Sequence, residues 1–187
     1  MGMMRRAVLS SSMPLFPVAE INMQPRRIRL GDLDGFHALF NEVAAEGLFS
    51  TRPCAPPKAV IARALEKAEQ NGWAVYVIEH DGRIIATAEA YPDSYCRPES
   101  DPRVGILGMQ VQARWRRQGL GRLLLNTLIE HCRQQGMERI ELQVFKSNHS
   151  ALALYERYGF AWVADLPPCQ MPAGHRDQAQ RMRLVLA

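Results

Sequence analysis

Metal-binding and disulfide signatures are missing from this chain. Its four cysteines, Cys54, Cys96, Cys132 and Cys169, stand far apart with no CxxC pair, so neither a zinc knuckle nor a disulfide framework is implied. The five histidines, His37, His80, His131, His149 and His175, show no HxxxH or HExxH spacing, and no metal site is expected. Charge of one sign never accumulates. The formal net charge is +4, with acids set among the bases along the chain, which argues against a nucleic-acid face and for small anionic ligands. No run reaches the ~20 apolar residues of a membrane span. These absences point to a reducing, cytoplasmic setting and to partners that are neither nucleic acid nor membrane.

What is present suffices for one core: 187 residues, 47% hydrophobic and 22% charged, make a second full domain unexpected. The opening MGMMRRAVLSSSMPLF pairs two arginines with a short apolar stretch, as an export signal does, but Ser10 to Ser12, Pro14 and Pro17 interrupt it. Residues 1–25 are therefore expected to be a loose arm ahead of a single domain at 26–187.

From Arg26 the pattern alternates. RRIRL reads as a short strand, and Asp32 as the N-cap of a helix whose Leu33, Phe36, Leu39, Phe40 and Val43 fall on one face before Gly47 closes it. After a proline-rich loop, a second helix runs from about Lys58 to Gln70 and stops at Asn71-Gly72. Two strands then meet at Asp81-Gly82, a hairpin signal. VGILGMQVQ has strand length, and it follows a polar, unpatterned SYCRPESDPR. Leu124, Leu125, Leu128, Ile129 and Cys132 form the apolar stripe of a helix capped at Gly136. RIELQVF alternates, HSALALYERYG is a helix capped by Asn148 or Ser147, and FAWVA with QRMRLVLA supply closing strands. The order is β-α-α-β-β-β-α-β-α-β-β, a mixed α/β domain.

Between the VGILGMQVQ strand and the helix beginning near Leu120 lies RWRRQGLGR, residues 114–122. A dinucleotide fingerprint requires GxGxxG, but Leu124 stands at the third glycine, and Glu141, the acid ~20 positions on, opens its strand rather than closing it. No GxxxxGK followed by Ser or Thr exists, so an ATP-binding P-loop is excluded. A plain turn and a phosphate seat remain. Arginines beside a helix start with no acidic first turn favour the second, since free N–H groups and the positive end of the helix dipole attract an anion. Glycine at 119 and 121 would let a pyrophosphate approach the backbone.

RRQGLG, Arg116 to Gly121, resembles the R/Q-x-x-G-x-G/A motif of the GNAT superfamily of N-acetyltransferases. The later RIELQVFKSNHSALALYERYGF resembles that superfamily's second signature, N-x-x-A-x-x-x-Y-x-x-x-G-F, at Asn148, Ala151, Tyr155, Gly159 and Phe160. The resemblance extends roughly from Arg26 to Ala187. It implies a central mixed sheet flanked by helices, with the fourth and fifth strands splayed. Acetyl-CoA would lie in the splay, its pantetheine arm on backbone groups of Met109 and Val111 and its pyrophosphate on the N–H groups of Arg117, Gln118, Gly119, Leu120, Gly121 and Arg122. The side chains of Arg116, Arg117 and Arg122 could add charge-assisted bonds. Asn148 is a helix cap, a cofactor contact, or both.

The implied reaction is direct attack of a neutral amine on the thioester in a ternary complex, which needs a base for the amine, a donor for the oxyanion and a proton for the departing thiolate. By resemblance Tyr155 is the acid. Many relatives carry the base as a glutamate on the strand before the glycine motif, and VGILGMQV has no carboxylate. Glu89 on the preceding strand is the candidate, with an ordered water as its competitor. The loops LFSTRPCAPP and LPPCQMPAGHRDQ would shape the acceptor pocket, with Thr51, Arg52 and Tyr91 lining it and Arg52 meeting a substrate carboxylate. The expected acceptor is a primary amine of an amino acid or other small molecule, and a homodimer is a common family arrangement. A non-catalytic acyl-CoA-binding or sensory module is the alternative.

Overall fold

A computed structural model describes residues 23–186. The elements are β1 (Arg26–Arg27), α1 (Leu33–Ala45), α2 (Lys58–Asn71), β2 (Ala74–His80), β3 (Arg83–Pro92), α3 (Asp93–Cys96), β4 (Val104–Val111), α4 (Leu120–Gln134), β5 (Arg139–Phe145), α5 (His149–Arg157), β6 (Ala161–Asp165), β7 (Cys169–Gln170), β8 (Arg176–Asp177) and β9 (Ala179–Val185). Seven strands form one sheet in the order β1-β2-β3-β4-β5-β9-β6, and β7 and β8 pair separately as a small hairpin. Within the large sheet every pairing is antiparallel except β4 with β5.

Local chemistry accounts for most boundaries. The β2–β3 turn puts Asp81 and Gly82 at φ 48° and 71°, the left-handed pair that a tight hairpin between twisted strands demands. Gly72 ends α2 at φ 68°, and Gly136 and Gly159 follow α4 and α5 with φ 71° and 86°. Asn148 caps α5, its side chain accepting the Ala151 N–H at 3.2 Å. Three details differ from expectation. Asp32 does not cap α1 with its side chain; its carboxylate accepts the Arg29 N–H at 2.8 Å and both guanidinium nitrogens of Arg26 at 2.8 Å, closing a 3-10 turn at Leu30–Asp32. That turn cuts the first strand to two residues. A single turn of helix, α3, also breaks the segment expected to be unpatterned. Of the expected arm, residues 1–22 lie outside the described residues, and Met23 packs against the core.

Two apolar layers sandwich the sheet. One gathers Leu124, Leu125, Leu128 and Cys132 of α4 and Tyr155 of α5 against Ile85, Ala88, Ala90, Leu107, Ile140, Leu142 and Met182. The other packs Phe36 and Leu39 of α1 and Ile61, Leu65 and Ala68 of α2 on Val75, Val77 and Ile84. Alternation along a strand then assigns each side chain to a layer. Among the described residues no helix is long and apolar enough to cross a membrane.

Candidate active site

The parallel pairing of β4 with β5 holds only from Val104–Ile106 to Arg139–Glu141. Beyond it β4 continues to Val111 on β3 alone, and β5 to Phe145 on β9 alone, so a wedge opens in the middle of the sheet. Hydrogen bonding decides what lines the wedge. The Gln112 N–H donates to Ile85 O at 2.9 Å, and in an antiparallel ladder bonded and non-bonded pairs alternate. The pairs Ala88–Met109 and Ala86–Val111 are therefore non-bonded ones, and Met109 and Val111 turn their N–H and C=O groups toward the wedge. The Val111 carbonyl is already taken by Arg116 Nε at 3.0 Å.

At the head of the wedge the chain turns through Arg117 at φ 62° and Gly119 at φ 86° into α4. The first backbone bond of the helix runs from Leu123 N–H to Gly119 O at 3.1 Å. The N–H groups from Arg117 to Arg122 find no protein acceptor among the described residues, and left-handed residues interspersed here curve them into a concavity suited to an anion. Arg117 and Arg122 are exposed. Arg116 is engaged inward: its guanidinium forms a bidentate pair with Glu46 at 2.6 and 2.7 Å and lies over the Phe49 ring. Gln118 bonds back to Arg114 O at 3.0 Å, leaving its main chain for a ligand.

The two glycines of the turn have different reasons to be glycine. A Cβ on Gly119 would meet open space, so its backbone angle is what excludes a side chain. A Cβ on Gly121 would lie 3.0 Å from Leu154 Cδ2 and 3.3 Å from Met109 Sδ. Close packing of α4 on β4 and α5, rather than room for a pyrophosphate, fixes that residue.

Glu89 and Tyr155 belong to opposite layers of the sheet, near enough for the charge of Glu89 to act on the phenol. Tyr155 is buried among the α4–α5 layer, its ring 5.6 Å from Phe160, and its hydroxyl makes no hydrogen bond with a described residue. Burial, and secondarily the charge of Glu89, hold the phenol well above its ordinary value, so it stays protonated. Glu89 pairs with Gly108 across β3–β4 and shares a strand face with Tyr91, which packs in the α1–α2 layer. Its carboxyl leans over Gly108, where an added Cβ would overlap Oε1. Glu89 Oε2 is buried with no hydrogen-bond partner among the described residues, and burial pushes the acid up to about 7.

Tyr91 lies beside Trp73 and Tyr95, ring centroids 5.7 Å from each. It sits one row below Glu89, where β4 and β5 are still joined. Thr51 and Arg52 are exposed on the loop after α1. That loop meets the segment between β6 and β9, Ala173 N–H donating to Gly47 O at 3.2 Å, and a Cβ on Gly47 would come 2.7 Å from Ala173 N. The glycine leading into the first loop expected to shape an acceptor pocket thus touches the second. The close approach at Gly108 has one signal in the sequence, a glycine inside an apolar strand. Among the described residues no three His, Cys, Asp or Glu side chains cluster as metal ligands.

A sequence model of the acetyltransferase (GNAT) family matches residues 38–160. A mycothiol acetyltransferase of Nocardiopsis dassonvillei is 31% identical over 129 residues, 63% of this chain and 37% of the relative. An amino-acid acetyltransferase of Photorhabdus laumondii is 27% identical over 133 residues, 71% of this chain and 26% of the relative. The chain therefore spans well under half the length of these curated relatives. Among solved structures, a ribosomal-protein-alanine N-acetyltransferase from Brucella melitensis superposes with a TM-score of 0.76 at 24% identity, over 87% of this chain and 99% of that one. A phosphinothricin acetyltransferase from Sinorhizobium meliloti, in complex with AcCoA, gives 0.77 at 20% identity over 88% of both chains. These structural likenesses are likenesses of fold. With the family model matching most of the chain, including the glycine turn and the α5 tyrosine, this chain belongs to the acetyltransferase (GNAT) family.

Proposed function

We propose that the protein is an acetyl-CoA-dependent N-acetyltransferase acting on a primary amine of an amino acid or other small molecule, by direct attack in a ternary complex. The observation that carries this reading is the approach of two buried proton-handling groups, a carboxyl and a phenol, close enough for the charge of the first to act on the second. A carboxyl whose buried Oε2 has no partner among the described residues approaches from the α1–α2 side and a buried phenol from the α4–α5 side.

Acetyl-CoA would supply the activated acyl group and the sulfur leaving group. The unbonded N–H groups from Arg117 to Arg122 would hold its diphosphate, with the exposed Arg117 and Arg122 side chains adding charge. The edge of β4 at Met109 and Val111 would accept the pantetheine arm as an added strand. Arg116 contributes by bracing the end of β4 on α1, since its guanidinium is spent on Glu46 and the Val111 carbonyl. Asn148 fixes the start of α5 and so the direction of Tyr155.

Glu89 takes the proton of the incoming ammonium, for which an acid near neutrality is well matched. Tyr155 gives its proton to the sulfur on the opposite side. Thr51, Arg52 and Tyr91 belong to the acceptor side, at or below its mouth. Incubation with acetyl-CoA and a panel of amines should release free thiol only with an accepted amine. Tight CoA binding with no release from any amine would sink the catalytic reading in favour of a binding module.

A further inference from the structure

The sheet face opposite α4 and α5 is ordered in rows. Glu89 pairs with Gly108. Ile106 pairs with Glu141 in the parallel stretch, so two residues on, Gly108 and Gln143 stand level on the same face across the wedge. Gln143 in turn pairs with Arg181 of β9. One row therefore holds Glu89, Gly108, Gln143 and Arg181, with the mouth of the wedge at its middle. The next row toward the closed end holds Tyr91, Ile106, Glu141 and Arg183.

The two arginines of β9 keep different company. Arg183 bonds Glu141 Oε1 through Nε at 2.9 Å and through a terminal nitrogen at 2.8 Å. Arg181 forms no ion pair and no hydrogen bond with any described residue, and its Nε is buried. A guanidinium cannot shed its charge. Its Nε is withdrawn from water and given no acceptor among the described residues, a cost that an anion arriving on that face would relieve. Gln110 repeats the pattern more weakly, its buried Oε1, two residues beyond Gly108 on the same face, having no partner among the described residues.

We propose that Arg181 is the anion-recognising residue of the acceptor site, binding a carboxylate of the molecule whose amine is presented to Glu89 across the wedge. This rests on the acetyl-transfer reading above. The diphosphate seat and α4 lie on the other face, so Arg181 is on the side left to the acceptor. Strands ~4.8 Å apart place the Cα atoms of Glu89 and Arg181 at least about three spacings, ~14 Å, from each other. Long side chains reaching inward from both ends close much of that interval, and the remainder suits a small zwitterion. The acceptor class is an amino acid with a free carboxylate, recognised from β9 rather than by Arg52 of the exposed loop.

The test compares L-amino acids with their carboxamides, using the full chain, R181Q, R181K and R52Q. For the wild type, kcat/KM should favour the accepted acid over its amide about ten- to hundred-fold, the value of one charge-assisted bond. R181Q should bring that ratio near one, chiefly through KM of the acid, and keep the wild-type rise in melting point with CoA. R181K should keep part of the ratio, having charge without the fork. A wild-type ratio in R181Q, or loss of the ratio in R52Q alone, overturns the assignment. Calorimetric binding of acid and amide to the CoA complex separates the two readings. Preference for the acid that R181Q abolishes, with no acetylation by the wild type, supports Arg181 and defeats acetyl transfer. Acetylation indifferent to residue 181 does the reverse.

Discussion

Burial moves Glu89 and Tyr155 in the same direction and leaves them in different states near neutrality. The phenol, raised further by the charge of Glu89, remains a donor; the carboxyl, lifted to about 7, is divided between acid and base. On the proposed mechanism kcat/KM should climb as pH passes through 7, and Glu89→Gln should flatten that limb and cost about 10²- to 10⁴-fold in rate. Stability should move the other way. The folded chain holds the Glu89 proton more tightly than the unfolded one, so this group's contribution is complete below 4.5 and is lost as pH rises to about 7. Glu89→Gln should then be more stable than the wild type above pH 7, by up to roughly 3 kcal/mol, and the gain should vanish below pH 4.5. Melting curves across that range check it. Tyr155→Phe should lower kcat by about 10²-fold or more while CoA raises its melting point as before; an unchanged kcat would remove Tyr155 from the chemistry.

The start of α4 shows how one motif carries two separate constraints. Gly119 is set by its backbone angle of 86° and faces open space, whereas Gly121 is set by Leu154 and Met109 pressed against it. Gly119→Ala should strain the turn by ~1–2 kcal/mol and misalign the N–H groups, weakening acetyl-CoA binding about tenfold by calorimetry. Gly121→Ala should instead overpack the layer and cost ~1–3 kcal/mol of stability, with affinity changed little among molecules that remain folded. Equal losses of affinity in both variants would mean that the turn acts as a unit. Both glycines and the α5 signature were legible from residue type and spacing. The inward turn of Arg116 was not, because Glu46 and Phe49 are distant in sequence and only the packing of α1 beside β4 brings them to it.

For the molecule as a whole, the wedge is the decisive feature. It exists because β5 is held along its length by β9 but by β4 over only three residues. A ligand filling it would join the two halves of the sheet. Saturating CoA, at about one hundred times its Kd, should stabilise the fold by ~2.7 kcal/mol and raise the melting temperature by about 5–10 °C. A melting point indifferent to CoA would refute the cofactor seat.

The run of helices and strands, the hairpin at Asp81-Gly82, the glycine caps and the signatures around Gly119 and Tyr155 could be read from the chain alone. Each depends on neighbours within a few positions, where propensity, alternation and capping operate. Folding settled what depends on distant neighbours: the seat that Gly108 makes for Glu89, the docking of Gly47 on Ala173, and the contrast between a paired Arg183 and an Arg181 with no partner among the described residues. A side chain's charge is written in its residue type. Its burial and its partners, which fix its protonation and its readiness for a ligand, arise only when remote strands come into register.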